Sequence, residues 1–435
     1  MRDETISDVT KVLLVGLDTG EEPDFEHAME ELKSLAEAAE KLVTGVITQR
    51  MEDVNNAFYI GTGKVEEVRE YALQCEAQEV IFDNTLTPSQ MRNLGRELKL
   101  PVLDRTNLIL DIFALRARTR EAKLQVETAR LQYILPRLVG MRENLSRVGG
   151  SSGAAGGRGS VSNRGAGETK LELDRRKIEH RISELQKELE EVAGRRENMR
   201  KKRSQSRIPK VALVGYTNAG KSTIMNHMLA RYGENKEKTV LEKDMLFATL
   251  DTNVRCICPG GDSENAADNR PFFLADTVGF IDKLPHGLVK AFRSTLEEVR
   301  CADLIVHVVD FSDEHYKQQM EVTEETLKSL EAGDIPRIVA YNKADKGQMP
   351  NLPRKKDRQI YMAASLDCGI EELAGMIAEC VYADRVEREF TVPYDRGNVV
   401  SYFMENATVL AQEYREEGVW MRVRCHKGDA DKYCV

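Results

Sequence analysis

Between Lys11 and Arg105, short apolar runs alternate with stretches in which apolar residues return every three or four positions. "KVLLVGL" (Lys11 to Leu17), "KLVTGVI" (Lys41 to Ile47), "EVIFDN" (Glu79 to Asn84) and "PVLDR" (Pro101 to Arg105) read as strands. "PDFEHAMEELKSLAEAAE" and "SQMRNLGRELK" read as the intervening helices. The alternation predicts a small parallel α/β domain over residues 1–110. From Leu108 to Arg147 the period changes. Leu124, Leu131 and Leu138 recur every seven residues, with Ile134 and Leu135 on the same side. After a glycine-rich interruption, Leu171, Ile178, Leu185 and Val192 repeat the spacing, supported by Ile182 and Leu189. Two heptad-patterned helices around one loop predict an antiparallel coiled-coil hairpin over 111–207.

The loop, 149–167 within "GGSSGAAGGRGSVSNRGAGE", cannot hold a packed core, and Arg158 and Arg164 give it a cationic tip. On composition alone, a plain flexible linker remains an open reading. Pro209 opens a third unit, 208–384, and residues 385–435 read strand, helix, strand, strand, a small α+β unit.

A hydrophobic fraction of 41% and a charged fraction of 31% predict a soluble, globular chain. No apolar run approaches the roughly 18 residues of a membrane span, so stable membrane insertion is not expected. "MRDETISDVTK" lacks the basic start and apolar stretch of a secretory signal, and a cytoplasmic location is expected. The cysteines form no C-x-x-C, and Cys256 and Cys258, on one strand face, have no second pair nearby to complete a zinc site. The net charge of −9 argues against bulk attraction to nucleic acid, yet basic residues cluster from Arg116 to Lys210. Such a cluster is either a solvated helix face or a local surface for a phosphate backbone.

The chemistry is concentrated in the third unit. "VALVGYTNAGKST" places an apolar strand before Gly215-x4-Gly220-Lys221-Ser222, then a helical run. Glycines let backbone N–H groups turn toward phosphates, and the helix N-terminus adds its dipole. Lys221 is expected on the β- and γ-phosphates and Ser222 on magnesium. "YIGTGKVEE" resembles the end of such a loop, but Phe58 and Val65 occupy the positions that need glycine and a hydroxyl, so it reads as a turn into a helix.

"FFLADTVGF" ends a strand at Asp276, where a carboxylate supports magnesium and the Gly279 amide faces a γ-phosphate. The next residue, Phe280, stands where Ras-like proteins carry the glutamine that orients water. "RIVAYNKAD" supplies Asn342-Lys343-x-Asp345, whose aspartate accepts two hydrogen bonds from guanine and leaves adenine mismatched. "MAASLDCGIEEL" occupies the place of the loop that contacts the guanine carbonyl, and Thr249 in "LFATLDTNV" is a candidate switch threonine for magnesium.

Together these motifs predict GTP contacts from Gly215, Tyr216, Thr217, Asn218, Ala219, Gly220, Lys221, Ser222 and Thr223. Phe247, Ala248, Thr249, Leu250 and Asp251 follow in the first switch, and Asp276, Thr277, Val278 and Gly279 in the second. Asn342, Lys343, Asp345, Ala363, Ala364 and Ser365 surround the base. Lys221, Thr249 and Gly279 are the catalytic candidates; Ser222, Thr249 and Asp276 are the Mg2+ ligands.

With their flanks, these segments resemble the HflX family of translational GTPases. "LDRTNLILDIFALRARTREAKLQVETARLQYILPRLVGM", "RGAGETKLELDRRKI", "ATLDTN" and "DTVGFIDKLPHGLVKAFRSTLEEV" carry the resemblance, which covers nearly the whole chain. It implies an α/β P-loop GTPase domain of mixed, mainly parallel sheet, preceded by a small α/β domain and a long helical hairpin and followed by a small α+β unit. It also implies GTP and GDP as ligands, the large ribosomal subunit and its rRNA as partners, and a monomer off the ribosome. The expected activity is slow GTP hydrolysis, stimulated by ribosomes, in separating or rescuing stalled or idle ribosomes under stress. An alternative is an RNA-remodelling or ribosome-assembly factor that uses GTP as a switch.

The resemblance gives Arg158 and Arg164 a role as rRNA contacts at the hairpin tip. The chain departs from the family at Thr252 and Asn253, where the family reads proline and threonine, and at Ala363, where it reads serine. Ala166 and Leu173 replace a proline and a threonine, and "CPGGDSENAADNRP" is a polar insertion.

Overall fold

The computed structural model describes residues 9–20, 24–148, 162–205, 208–233, 246–247, 253–259, 270–283, 293–347, 349–383 and 385–433. The chain divides into two compact units. The first is Met1–Val192 with Met245–Leu250 and Lys283–Arg293; the second is Ala193–Asp244, Asp251–Asp282 and Ser294–Val435.

In the first unit, strand β1 (Lys11–Asp18) is followed by helix α1 (Phe25–Ala38), β2 (Leu42–Arg50), α2 (Thr62–Gln74), β3 (Glu79–Phe82), α3 (Pro88–Leu98) and β4 (Val102–Asp104). The strands pair in the order β2-β1-β3-β4, all parallel. The apolar run of β1 becomes the buried centre of this sheet, with Val12, Leu13 and Leu14 fully enclosed. Sequence-local chemistry sets the helix starts. Asp24 accepts from His27 N, and Thr87 and Gln90 form a reciprocal capping box with Pro88 in the first turn of α3. Gly61 is the N-cap of α2, so the "GTGK" segment is a helix start, as expected, and Lys64 pairs with Glu67 at 2.8 Å.

The heptad run expected from Leu108 is two helices, α4 (Arg105–Arg116) and α5 (Arg120–Val148). Thr119 Oγ1 accepts the Ala122 amide at 3.1 Å and caps the second. Helix α6 (Ser162–Gln205) begins inside the stretch 149–167, where glycine content points to a loop. Once nucleated, a helix gains a hydrogen bond for each residue added, and this one extends upstream through Gly165 and Gly167. Helices α5 and α6 are antiparallel: Arg120 pairs with Glu188 and Glu127 with Arg181, each at 2.9 Å, so the partners run in opposite directions by one heptad. Leu124, Ile182 and Leu185 of the heptad seam are buried.

Charge is buried at the end of β3 and β4. Arg105, 2% exposed, donates to Asp83 at 2.8 Å and also to Glu31. Asp83 accepts in addition from Lys283 Nζ at 2.7 Å.

The second unit holds β5 (Lys210–Val214), α7 (Lys221–Tyr232), β6 (Asn253–Ile257), β7 (Phe272–Asp276), β8 (Leu304–Asp310), β9 (Arg337–Asn342), β10 (Arg354–Lys356) and β11 (Gln359–Tyr361). They form a seven-stranded sheet in the order β10-β11-β9-β8-β5-β7-β6, parallel apart from antiparallel β6 and β10 at its edges. Val211, Leu213, Leu304, Val306 and Ile338 fill its core against Ile224, Met225 and Met228 of α7. After it come β12 (Arg385–Val392), a helix Gly397–Asn406, β13 (Thr408–Arg415) and β14 (Gly418–His426), paired antiparallel as β12-β14-β13. A closing helix, Lys427–Tyr433, completes this layer, with Tyr402 Oη donating to Asp429 at 2.9 Å. No helix among the described residues is long and apolar enough to cross a membrane.

His307 sits in the middle of β8, 1% exposed, with Nδ1 lacking a hydrogen-bond partner among the described residues. Burial pushes its pKa down to about 4. The unfolded chain therefore takes up a proton near pH 6.5 that the folded chain refuses, so stability falls as pH falls from 6.5 toward 4. Urea unfolding of wild type against His307→Leu is expected to show a difference that grows by on the order of 3 kcal/mol over that window. Parallel pH profiles would remove His307 as the source.

Candidate active site

The loop after β5 is shaped by its two glycines. Gly215 has φ 149 and Gly220 φ 95, and a Cβ on either would lie 2.1 Å from Val308 O or Asn342 Nδ2 respectively. No other residue type meets both the torsion and the space. Gly220 is the N-cap of α7, so Lys221, Ser222 and Thr223 form the helix's first turn with the loop amides at its positive end. Lys221 is 6% exposed and its Nζ donates to Gly215 O at 3.1 Å and Tyr216 O at 2.6 Å. Burial pushes its pKa down to about 8; Asp276 opposes the shift and Lys343 adds to it.

Ser222 Oγ donates to Asp276 Oδ2 at 2.7 Å, which joins the two expected metal-binding oxygens from α7 and the end of β7. A hydroxyl and a carboxylate are hard oxygen donors of the kind magnesium takes while keeping waters and phosphate oxygens in its other positions. Thr217 Oγ1 is enclosed and has no hydrogen-bond partner among the described residues. Thr277 is fully buried and donates to Leu213 O at 2.6 Å, which anchors the Asp276–Gly279 segment to β5.

Phe280 is the unexpected element. Its side chain is 2% exposed, and its main chain is tied to the phosphate loop twice. Phe280 N donates to Gly215 O at 3.1 Å, and Thr217 N donates to Phe280 O at 2.8 Å. Tyr216 Oη accepts from Asp282 N at 2.8 Å, which extends the same attachment. These contacts bring Gly279 flush against the loop: a Cβ there would lie 2.8 Å from Thr217 Cα and 3.0 Å from Lys221 Nζ.

At the base end, Asn342 is a brace. Its Nδ2 donates to Ala219 O at 3.0 Å and its Oδ1 accepts from Ala364 N at 2.9 Å. Lys343 Nζ pairs with Asp310 at 2.8 Å, and Asp345 Oδ1 is enclosed with no hydrogen-bond partner among the described residues. Ala363 and Ala364 are fully buried, and two hydrogen bonds between Ala363 and Cys368 close their loop at 3.0 and 3.1 Å. That bridge is main-chain and does not depend on the side chain at Ala363, and Ser365 is exposed.

Residues Gly215–Thr223, Asp276–Gly279 and Asn342–Asp345 are brought to one end of the sheet by the ends of β5, β7 and β9. Phe247, in the first unit, is 2% exposed and sets its ring edge-on to Phe113 at 4.8 Å. Ala248, Thr249, Leu250, Asp251 and Arg158 lie outside the described residues, and Arg164 falls in the first turn of α6. Asp310 was not expected as a site element, and Tyr216, expected as a GTP contact, also makes an Oη contact with the Asp282 amide that was not foreseen. An aspartate ending an apolar strand was the available signal for the first; the second is a side-chain hydroxyl accepting from a main-chain amide, without a motif.

Comparison with known proteins matches residues 26–114 to the family described as GTP-binding GTPase N-terminal and 116–203 to GTP-binding GTPase Middle Region. Residues 210–343 match the family described as 50S ribosome-binding GTPase. The GTPase HflX of Caldanaerobacter subterraneus subsp. tengcongensis is 40% identical over 96% of this chain and 91% of its own. That of Escherichia coli is 36% identical over 98% and 95%. A solved GTP-binding protein of Sulfolobus solfataricus, in complex with GDP, is 24% identical, with coverage of 86% and 99% and a TM-score of 0.44.

Proposed function

The chain belongs to the HflX family of GTPases, and from that premise we propose that it hydrolyses GTP on the large ribosomal subunit to separate or rescue stalled or idle ribosomes. The observation that carries the partner's role is Phe280. Its side chain is buried and its main chain is committed to the phosphate loop, so no side chain at that position orients the attacking water. A group supplied from outside the site completes it, and the match of 210–343 to a ribosome-binding GTPase family supports the ribosome as the source.

Each residue then has a task. Loop amides from Gly215 to Ser222 and the α7 N-terminus cradle the phosphates, and Lys221 exchanges its two carbonyl partners for phosphate oxygens. Ser222 and Asp276 would hold Mg2+, with Thr249 as the proposed third ligand, and the ion would supply positive charge against the phosphates. Gly279 presents its amide to the γ-phosphate, and Asp345 reads the guanine edge. Positioning and charge neutralisation supply most of the catalysis.

A sedimentation assay with ribosomes tests the proposal. With a non-hydrolysable GTP analogue, the full chain is expected to sediment with the large subunit and to separate 70S particles. Deletion of 149–167 is expected to keep nucleotide binding and lose separation. If the deletion leaves both intact, the loop is a linker. If subunits give no increase in turnover, partner-completed catalysis is wrong.

A further inference from the structure

The outer edge of the second unit's large sheet carries a feature that the nucleotide site does not use. Strand β10 and its turn read Arg354-Lys355-Lys356-Asp357-Arg358, four cations in five residues on a chain of net charge −9. All five are exposed. Arg354 stands opposite Tyr361 and Lys355 opposite Ile360 on β11, and Asp357 takes φ 51 to make the turn.

A single lysine is enough to discourage an edge strand from pairing with another chain. Elsewhere on this unit exposed arginines occur singly, some matched with carboxylates (Arg300 with Glu331, Arg415 with Glu413, Arg422 with Glu389) and some, Arg388 and Arg396, without such a partner among the described residues. Among the described residues none of the four edge cations has such a partner. Concentrated, unneutralised positive charge is what a polyanion's backbone selects.

The edge is also stiff. Tyr361 stacks on Tyr341 with centroids 4.6 Å apart and planes at 13°, and Phe311 meets Tyr361 edge-on at 5.3 Å. These rings are half-buried against one another, so they brace the strand rather than offer open stacking faces. Arg358 O accepts from Val339 N at 2.9 Å and ties the turn to β9. Cations on both faces of an edge strand and at its turn, without an open aromatic platform beside them, suit phosphates and not bases.

We propose that the β10–β11 edge is a docking surface for an RNA phosphate backbone, distinct from the helical hairpin and on the opposite side of β8 from the phosphate loop in strand order. On the reading above, on which its natural occupant rests, that backbone is ribosomal RNA. The surface fixes orientation and contributes no sequence selectivity.

The test replaces Arg354, Lys355, Lys356 and Arg358 with Gln in the full chain and measures two affinities across salt concentrations. The first probe is a fluorescent RNA duplex, the second the large subunit with a GTP analogue. The variant is expected to bind the duplex about 10–100-fold more weakly near 0.15 M salt, with the slope of log K against log salt about 2–3 shallower. Its GTP affinity and melting temperature are expected to match wild type.

An unchanged slope on the duplex overturns the inference, whatever subunits do. A shallower slope on the duplex, combined with no wild-type binding to subunits, upholds the surface and defeats the ribosomal reading. A benzophenone amino acid at position 355 separates polymer classes on the subunit. Cross-links to RNA support the proposal, and cross-links to protein alone overturn it.

Discussion

Asp345→Asn is expected to invert base selection, lowering GTP affinity by about 10³–10⁴-fold and giving a xanthosine nucleotide the advantage. The carboxylate Oδ1 is enclosed and has no partner within the described protein, so its hydrogen-bonding capacity is reserved for a donor brought by the ligand. Guanine offers two donors, the ring N–H and the exocyclic amine. An asparagine presents one acceptor and one N–H donor, so its amide would oppose guanine's amine and leave a buried donor unpaired. Xanthine has a carbonyl where guanine has that amine, and the amide pairs with it.

The backbone around the residue is fixed independently of its side chain. Ala344 N donates to Met362 O at 3.1 Å and Lys346 N to Lys343 O at 3.1 Å, so the substitution changes recognition without moving the turn. Competition of GTP, XTP and ATP against a fluorescent nucleotide measures the effect. A substituted chain that still prefers GTP over XTP tenfold would show that the carboxylate does not read the base.

Gly279→Ala is the second large effect: single-turnover GTP hydrolysis is expected to fall by roughly 10²–10³-fold while GDP affinity stays within about threefold. The obstacle is space. The new methyl would lie 2.8 Å from Thr217 Cα and 3.0 Å from Lys221 Nζ, and the first of these is backbone that cannot swing aside. Relief requires breaking the two hydrogen bonds between Phe280 and the loop or displacing Lys221. Either change removes a donor from the γ-phosphate position. GDP does not reach that position, so its binding separates a switch defect from a damaged loop. Equal losses of GDP and GTP binding would mean that the methyl distorts the whole phosphate loop.

The sheets were legible because their strands are continuous apolar runs: Lys11 to Leu17 and Val211 to Val214 can be buried on both faces only inside a parallel α/β layer. The phosphate loop was legible because its torsions exclude everything but glycine at Gly215 and Gly220. The break between α4 and α5 was not, since the heptad spacing continues across it and the signal is one cap, Thr119. The commitment of Phe280 was hidden for another reason: its contacts are main-chain, and any residue there could make them. Asn342 is intermediate. Its motif was plain, but the motif points to the base, whereas the side chain spans from Ala219 to Ala364. The short β10 strand is three cations, Arg354 to Lys356, with no apolar pattern, so periodicity had nothing to detect.

That span of Asn342 makes the two ends of the pocket mechanically one object. A single amide fixes the carbonyl of the residue before Gly220 and the amide of the loop that faces the base. Strain introduced at the purine end is therefore delivered to the phosphate end through one rigid side chain. A nucleotide whose base is poorly seated is thus expected to bind and yet be hydrolysed slowly, because the side chain that braces the base loop also braces the loop at Gly220.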